Sequence, residues 1–313
     1  MDLIDNLLST IRIEGACYGR IQATAPWGLQ SEAGSHARFG LITYGQAWLT
    51  LPAASEPIHL SQGDFFLLAP GREYMLSDDA NTSPRNLSEL IKDRCNAPIR
   101  FGGGGAPTSI IAGRFNFDEA LGRPLADFFP PRIVIRGGEP QMVPLQKTLE
   151  LLAAEVDAST PGSEVAVRRL ADLLLIQALR SHIASGPDGN QVENTGWLQA
   201  FSDSQIGAAL NSMHERIDHP WTVASLASEA GMSRSAFAQR FKQLMSQSPL
   251  EYLTRWRMYR GTYLLRQSDR KLADVAQAVG YDSDGAFHKA FKRVLGIAPG
   301  EYRRSVGAAQ THA

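Results

Sequence analysis

Two short runs of polar side chains carry the chemistry that this chain is equipped for. Arg234, Ser235, Ala238, Gln239 and Lys242 stand at spacings that share one face of a helix. Asp284, Gly285, His288, Lys289 and Lys292 repeat those spacings fifty positions later. Residues three to five apart are neighbours on a helix surface, so each run forms one stripe. Arg and Lys donors suit phosphate oxygens and the guanine edge, and a Gln amide suits adenine. The chemistry on offer is recognition by charge and hydrogen bonding.

Both stripes are backed by the same apolar and turn residues. Phe237 and Phe241 recur as Phe287 and Phe291, Lys242 as Lys292, Ser233 as Ser283, Pro249 as Pro299, Glu251 as Glu301 and Tyr252 as Tyr302. Upstream the offset falls from fifty to forty-nine, since Ala227 matches Ala276 and Gly231 matches Gly280. One extra residue in a turn reconciles the two offsets. A duplication that keeps apolar, cap and turn positions marks two copies of one supersecondary unit.

Each copy reads as helix–turn–helix. In the first, at 222–245, Thr222 is an N-cap candidate, and Val223, Leu226, Ala227 and Ala230 form an apolar stripe. Gly231 stops that helix, and Ser233 caps a second whose apolar face is Phe237, Phe241 and Leu244. In the second, at 271–295, Leu272, Val275, Ala276 and Val279 precede Gly280. Ser283 then caps a helix whose buried face is Phe287, Phe291 and Val294 or Leu295. Two helices joined by a short Gly-containing turn can lay the second helix in the DNA major groove.

Residues 249–267 join the copies as a helix opened by Pro249, with Leu250, Leu253, Trp256, Met258, Leu264 and Leu265 as apolar contacts. Arg255, Arg257 and Arg260, with Thr222, are candidate phosphate contacts, and Arg266 is a further exposed basic candidate. A stiff connector would let both second helices enter successive major-groove segments about 34 Å apart.

These residues resemble the DNA-binding domain of the AraC/XylS family of bacterial transcription regulators. The resemblance covers the last third of the chain. Gly280-Tyr-Asp-Ser283 before the second recognition helix and Ala298-Pro-Gly-Glu-Tyr302 after it are its most specific signatures. Two positions depart from it. Ser246 stands where relatives often have Gly, as its repeat partner Gly296 does. Gly261 occupies a mid-helix position where Ala is commoner, a change expected to cost on the order of 1 kcal/mol.

The whole-chain composition is consistent with two domains of different character. Residues 203–313 carry 15 Lys plus Arg against 10 Asp plus Glu, a net of +5, whereas residues 1–202 carry a net of −6. One half therefore suits phosphate and the other does not. No apolar run reaches the roughly 18 residues of a membrane helix, and Met1-Asp-Leu-Ile-Asp5 lacks the basic flank of a secretory signal. The expected location is the cytoplasm, with no membrane partner. With two cysteines, the chain holds no disulfide framework.

Residues 1–12 read as a short amphipathic helix, and 16–136 have a β texture of short runs punctuated by Gly, Pro and Ser. Phe39–Thr43, Ala47–Leu51, Pro57–Leu60 and Asp64–Leu68 are the clearest strands. The stretch Gly63-Asp64, an apolar strand and Pro70 resembles an element of cupin barrels, specifically the sensor domain that precedes AraC-type DNA-binding domains. Residues 78–98 read as a long mobile loop. The fold class expected is thus a two-domain β + α chain. Residues 1–185 form a cupin-like β-barrel with a helical hairpin at 144–184. Residues 186–196 form a linker, residues 197–305 an all-α tandem helix-turn-helix domain, and 306–313 a disordered tail. The apolar hairpin can brace the barrel or pair two subunits, which makes a homodimer the expected assembly.

Cupin enzymes hold a metal through two or three His and a Glu. Here His36 and His59 are isolated, and no His-x-His pair is present. The expectation is no metal, no cofactor and no catalysis. His36, His59 and Glu73 would be the first ligands under the alternative reading, a cupin metalloenzyme with a helical appendage. Cys17 and Cys95 read either as small buried hydrophobes or as redox sensors, and Lys92 and Arg94 would promote a Cys95 thiolate. Some regulators with this domain pairing resemble cysteine-based oxidant sensors. The function implied is a sequence-specific transcription regulator. Its partners are double-stranded promoter DNA, an unknown small-molecule or oxidant signal, and RNA polymerase if it activates.

Overall fold

The β-branched and aromatic runs of the first half pair into sheets, and the 3.6-residue periodicities of the second half form helices. A computed structural model describes residues 13–34, 36–52, 56–91, 98–117, 130–158, 160–184, 200, 203–267 and 270–311. The helix expected at 1–12, the linker at 186–196 and Cys95 lie outside them. The described residues fall into two units, divided between Val192 and Glu193.

The strands are β1 Ile13–Thr24, β2 Gly28–Ser31, β3 Ala37–Tyr44, β4 Gln46–Thr50, β5 Ile58–Ser61, β6 Phe65–Leu68, β7 Tyr74–Ser77, β8 Arg85–Asn86, β9 Ile99–Gly102, β10 Pro107–Phe117 and β11 Arg132–Ile135. One sheet has six strands in the order β11-β6-β3-β10-β1-β9, and the other five in the order β5-β4-β7-β2-β8. Neighbours are antiparallel except β1–β9 and β2–β8. The expected cupin-like β unit is present, built among the described residues as two sheets that do not join into one closed barrel. Consecutive strands β3 and β4 enter different sheets instead of extending one. Ile42, Phe66, Leu68 and Ile110 of the first sheet meet Leu29, Leu49, Leu60 and Leu76 of the second in a shared apolar core.

Strand β6 is buried on both faces. Phe66 and Leu68 enter the core between the sheets. Phe65 and Leu67 face the other way, where Phe65, Phe39 and Phe115 stack in series. The turn before β6 is held by Asp64. Its carboxylate accepts from the Ser61 and Gly137 amides at 3.0 and 2.9 Å and from Arg136 Nη1 at 2.7 Å, tying this turn to the end of β11.

Of the segment expected to be a mobile loop at 78–98, residues 78–91 form turns, a strand and a short helix. Asp78 Oδ1 accepts from the Trp27 amide and from Thr82 Oγ1, each at 2.9 Å, and Asp79 accepts from the Asn81 amide at 2.9 Å. These aspartates supply the turn partners that a polar segment needs. Strand β8 and the short helix α1, Leu87–Ile91, follow.

Helices α2 (Met142–Ala158) and α3 (Ser163–Ala184) form the expected hairpin. Leu145, Leu149 and Leu152 of α2 and Ala171, Leu174, Leu175 and Leu179 of α3 are buried, and α3 packs on β1 and β11. The hairpin is thus a brace within its own unit. No helix among the described residues is long and apolar enough to cross a membrane.

The second unit is all helical: α4 Ser204–Glu215, α5 Val223–Glu229, α6 Arg234–Met245, α7 Pro249–Gln267, α8 Leu272–Ala278, α9 Asp284–Leu295 and α10 Pro299–Thr311. Helix α10 runs through residues expected to be a disordered tail. The run Val306-Gly-Ala-Ala-Gln310 contains no proline, and its two alanines favour continued helix.

Candidate nucleic-acid interface

The recognition helices are made by their caps and their buried phenylalanines. Ser233 and Ser283, both extended, accept the amides of Ala236 and Ala286 at 3.3 and 3.2 Å. Phe237 and Phe241 of α6 and Phe287 and Phe291 of α9 are fully buried, with paired ring centroids 5.6 and 5.4 Å apart. Those buried faces leave the opposite sides of α6 and α9 to solvent. Arg234, Ser235, Gln239 and Lys242 are exposed on α6, with Ala238 half-buried among them. Asp284, Gly285, His288, Lys289 and Lys292 are all exposed on α9. Each helix therefore brings its own five sequence-singled residues to one free face.

The helix preceding each recognition helix starts differently. Thr222 caps α5 in a reciprocal capping box. Its Oγ1 accepts the Ser225 amide at 3.1 Å, and Ser225 Oγ accepts the Thr222 amide at 2.9 Å. Its counterpart Lys271 makes no side-chain cap.

The connector helix α7 opens on a second capping box. The Ser248 amide donates to Glu251 Oε2 at 2.8 Å, and the Glu251 amide donates to Ser248 Oγ at 3.3 Å. The Ser248 hydrogen bonds hold the Glu251 carboxyl below its usual range. Tyr252, Leu253, Trp256, Met258, Tyr259 and Leu265 are buried along α7, whereas Leu250, expected among its contacts, is exposed.

The arginines of α7 divide. Arg255 is half-buried and donates to Gln247 at 3.3 Å, and the Arg260 guanidinium lies 4.7 Å from the Tyr263 ring centroid. Arg257, expected among the phosphate contacts, is turned inward. Its Nε donates to the Ile217 carbonyl at 2.9 Å, Nη1 to Gly280 at 3.1 Å and Nη2 to His219 at 2.7 Å. Burial lowers its pKa from the ordinary arginine value. With all three nitrogens engaged by carbonyls, the guanidinium is a structural tie.

Gly261 also corrects an expectation. A Cβ at this position would stand 3.1 Å from Phe287 Cε2 and Cζ, so the bare backbone makes room for the buried ring of the second recognition helix. The helix-propensity cost of Gly is accepted for packing. Ser246, in contrast, closes α6 in the left-handed region at φ 55°, the conformation that Gly296 adopts at φ 76° at the end of α9.

Several positioning residues carry no local sequence signal or only a weak one. Asp203 caps α4 and accepts from Arg240 of α6 at 2.8 Å. Burial alone would raise the Asp203 carboxyl, but the bonds from Ile206, Arg240 and Gln205 together hold it below the usual range. An Asp just before an apolar periodic run is a recognisable helix start, and could have placed the beginning of α4 at Ser204. His214, wholly buried, stacks on Trp256 with centroids 4.2 Å apart, and its Nε2 lies 2.8 Å from Tyr252 Oη. Burial pushes its pKa down to about 3, so it is neutral near pH 7.

The metal candidates lie apart in function. His59 on β5 packs against Trp48 and pairs with Gln46 at 3.2 Å. His36 precedes β3, where burial and then Arg114 and Arg38 lower its pKa, and Glu73 is exposed. Among the described residues no three His, Cys, Asp or Glu side chains gather as an ion would require. Cys17 lies on β1, paired in register with Arg114.

A β-rich unit joined to a tandem helix-turn-helix unit defines a class of two-domain regulators, and comparison places the chain within it. The cupin family model matches residues 2–184, and a helix-turn-helix domain model matches 226–305. A putative AraC-like transcription regulator of Streptomyces antibioticus is 34% identical over 304 residues, covering 97% of this chain and 99% of that one. The HTH-type transcriptional regulator AlkR of Acinetobacter baylyi is 29% identical over 310 residues, covering 97% and 99%. Among solved structures, the DNA-binding domain of AdpA in complex with a target DNA matches with 31% identity and a TM-score of 0.34, covering 36% of this chain and 99% of that one. The chain belongs to the AraC-like transcription regulators with an N-terminal cupin domain.

Proposed function

We propose that this regulator reads a specific promoter site with both recognition helices at once, while its cupin-like unit receives the signal that sets DNA affinity. The observation that carries the reading is the pair of exposed polar faces on α6 and α9, held in one unit by the same connector helix. Arg234, Gln239 and Lys242, with His288, Lys289 and Lys292, supply donors for bases and phosphates. Thr222, Arg255 and Arg260 flank these faces as phosphate contacts. The protein works in the cytoplasm without catalysis, and contacts RNA polymerase where it activates.

The assembly we infer is a homodimer through the helical hairpin. Val143 and Leu151 of α2, and Val165 and Leu173 of α3, are 55%, 60%, 62% and 40% exposed although large and apolar. Apolar side chains at this exposure favour burial against a second copy. The signal is either a small molecule or an oxidant acting on Cys95 with Cys17. In the oxidant case two thiols give two protons and two electrons to the oxidant and form one disulfide. Cys95→Ser then abolishes the response of DNA binding to oxidant, and an unchanged response leaves the small-molecule signal.

The deciding experiment is to sequence DNA fragments retained from a random pool by the purified chain, with and without oxidant. A bipartite motif with half-sites about one helical turn apart is expected. Absence of any enriched motif defeats the reading. Binding to the selected site weakens steeply between about 50 and 200 mM salt, as roughly 6–10 phosphate contacts require.

A further inference from the structure

We propose that Arg257 sets the spacing and relative angle at which the two recognition helices meet DNA. This rests on the reading above, that both helices engage one site. The guanidinium projects from α7 and donates to carbonyls of two separate turns. Ile217 and His219 lie in the turn between α4 and α5, which leads into the first helix-turn-helix at Thr222. Gly280 lies in the turn between α8 and α9, which belongs to the second. One planar group with fixed donor directions therefore joins two turns more than sixty residues apart in sequence.

The second turn is shaped to receive it. A Cβ on Gly280 would stand 2.5 Å from Arg257 Nη2, 2.8 Å from its Cζ and 2.8 Å from the Asp218 carbonyl. The Tyr281 ring centroid lies 5.7 Å from the guanidinium carbon, adding a cation–π contact from the same turn. Gly280 thus does two things: it ends α8 at φ 79° and leaves space for the guanidinium. The turn before α5 leads into the first helix-turn-helix and the turn before α9 leads into the second recognition helix, so a loosened guanidinium frees one unit relative to the other without disturbing either face. Arg257 is a positioning residue, and what it specifies is the distance between half-sites.

The test uses the full chain and the site it selects. Affinity is measured on that DNA, on DNA with the second half-site scrambled, and on DNA with one or two base pairs added or removed between half-sites. Arg257→Lys keeps the charge but loses the planar fork, and Arg257→Gln removes the charge as well. Circular dichroism and a thermal melt establish that each variant is folded at the assay temperature. The expected result is a loss on the order of ten- to a hundredfold on two-half-site DNA, with half-site affinity nearly unchanged and the preference for one spacing flattened. The slope of affinity against salt on the half-site is unaltered.

Equal losses on both DNAs, with a salt slope smaller by about one, would make Arg257 a phosphate contact and overturn the proposal. Unchanged spacing preference in both variants overturns it too. If the wild-type chain binds one half-site as tightly as two, the two-reader reading fails with it, a result distinguishable because it appears before any substitution is made.

Discussion

The two helix-turn-helix units share a skeleton and differ in almost everything around it. Both bury a Phe pair four residues apart behind a Ser cap, and both stop their first helix at a Gly. The faces they present have diverged. On α6 the singled residues include Arg234, Gln239 and Lys242 and no acid. On α9 the first is Asp284, which suits the positive end of its own helix but repels a phosphate placed there. The supports differ as well. Tyr252 packs on Phe241 as Tyr302 packs on Phe291, each with ring centroids 5.8 Å apart, but the first unit also leans on α4 through Arg240–Asp203, Arg216–Glu229 and the His214–Tyr252–Trp256 stack. Core positions are held by packing, and an exposed face answers only to what it binds. A duplicated unit can therefore keep its fold while its two copies come to read different sequences.

Removing a core ring is the most severe way to break the comparison. Phe241→Ala and Phe291→Ala each lose about 3–5 kcal/mol in urea unfolding. Because α7 packs against helices of both units, one cooperative transition is expected in each case. A separate melt of one unit would show that the copies fold independently.

Changing the reading faces sharpens it. Gln239→Ala and Lys289→Ala each relax base preference at one position of the selected site, by roughly 1–3 kcal/mol in competition binding. The two relaxed positions fall in different half-sites. If both variants keep wild-type selectivity, the assignment of the reading surface is wrong.

Acid probes a buried group that supports the first unit, His214 of α4. The folded-state pKa of His214 is depressed to about 3, below the ordinary 6.5. Its contribution to stability is whole above about pH 6.5. As pH falls from there toward 3, the unfolded chain takes up the proton that the folded chain refuses, and stability drops by about 1.4 kcal/mol per pH unit from this group. His214→Phe flattens that slope in urea titrations between pH 6.5 and 5. An unchanged slope would place the acid sensitivity elsewhere.

The smallest effect tests the helix ends. Ser246→Gly stabilises by roughly 0.5–1 kcal/mol, because Gly enters the left-handed region without steric cost. Gly296→Ser destabilises by a similar amount, and thermal melts of the two variants should move in opposite directions.

Much of this was legible before any coordinates. Phe237, Phe241, Phe287 and Phe291 declared the helices by spacing, and Ser233 and Ser283 declared their starts, since capping and amphipathicity act within a few residues. The strand runs ending at Thr43, Leu51, Leu60 and Leu68 were visible for the same reason. Less legible were the residues with remote partners. Arg257 looked like its neighbours Arg255 and Arg260, and Gly261 looked like a weak helix position until Phe287 was seen beside it. Within the loop expected at 78–98, the turn at Asp78 is held by Trp27, fifty-one residues earlier.

By itself the sequence determined the tandem architecture, which side chains share the exposed faces of α6 and α9 and the β character of the first unit, because periodicity, caps and turns are short-range physics written along the chain. Tertiary structure alone decided which arginine ties and which stay near the surface, that the sheets remain open, and that a glycine yields to a ring. Those outcomes depend on atoms brought together across tens of residues, and the energy of such a contact exists only once the fold has set the distance.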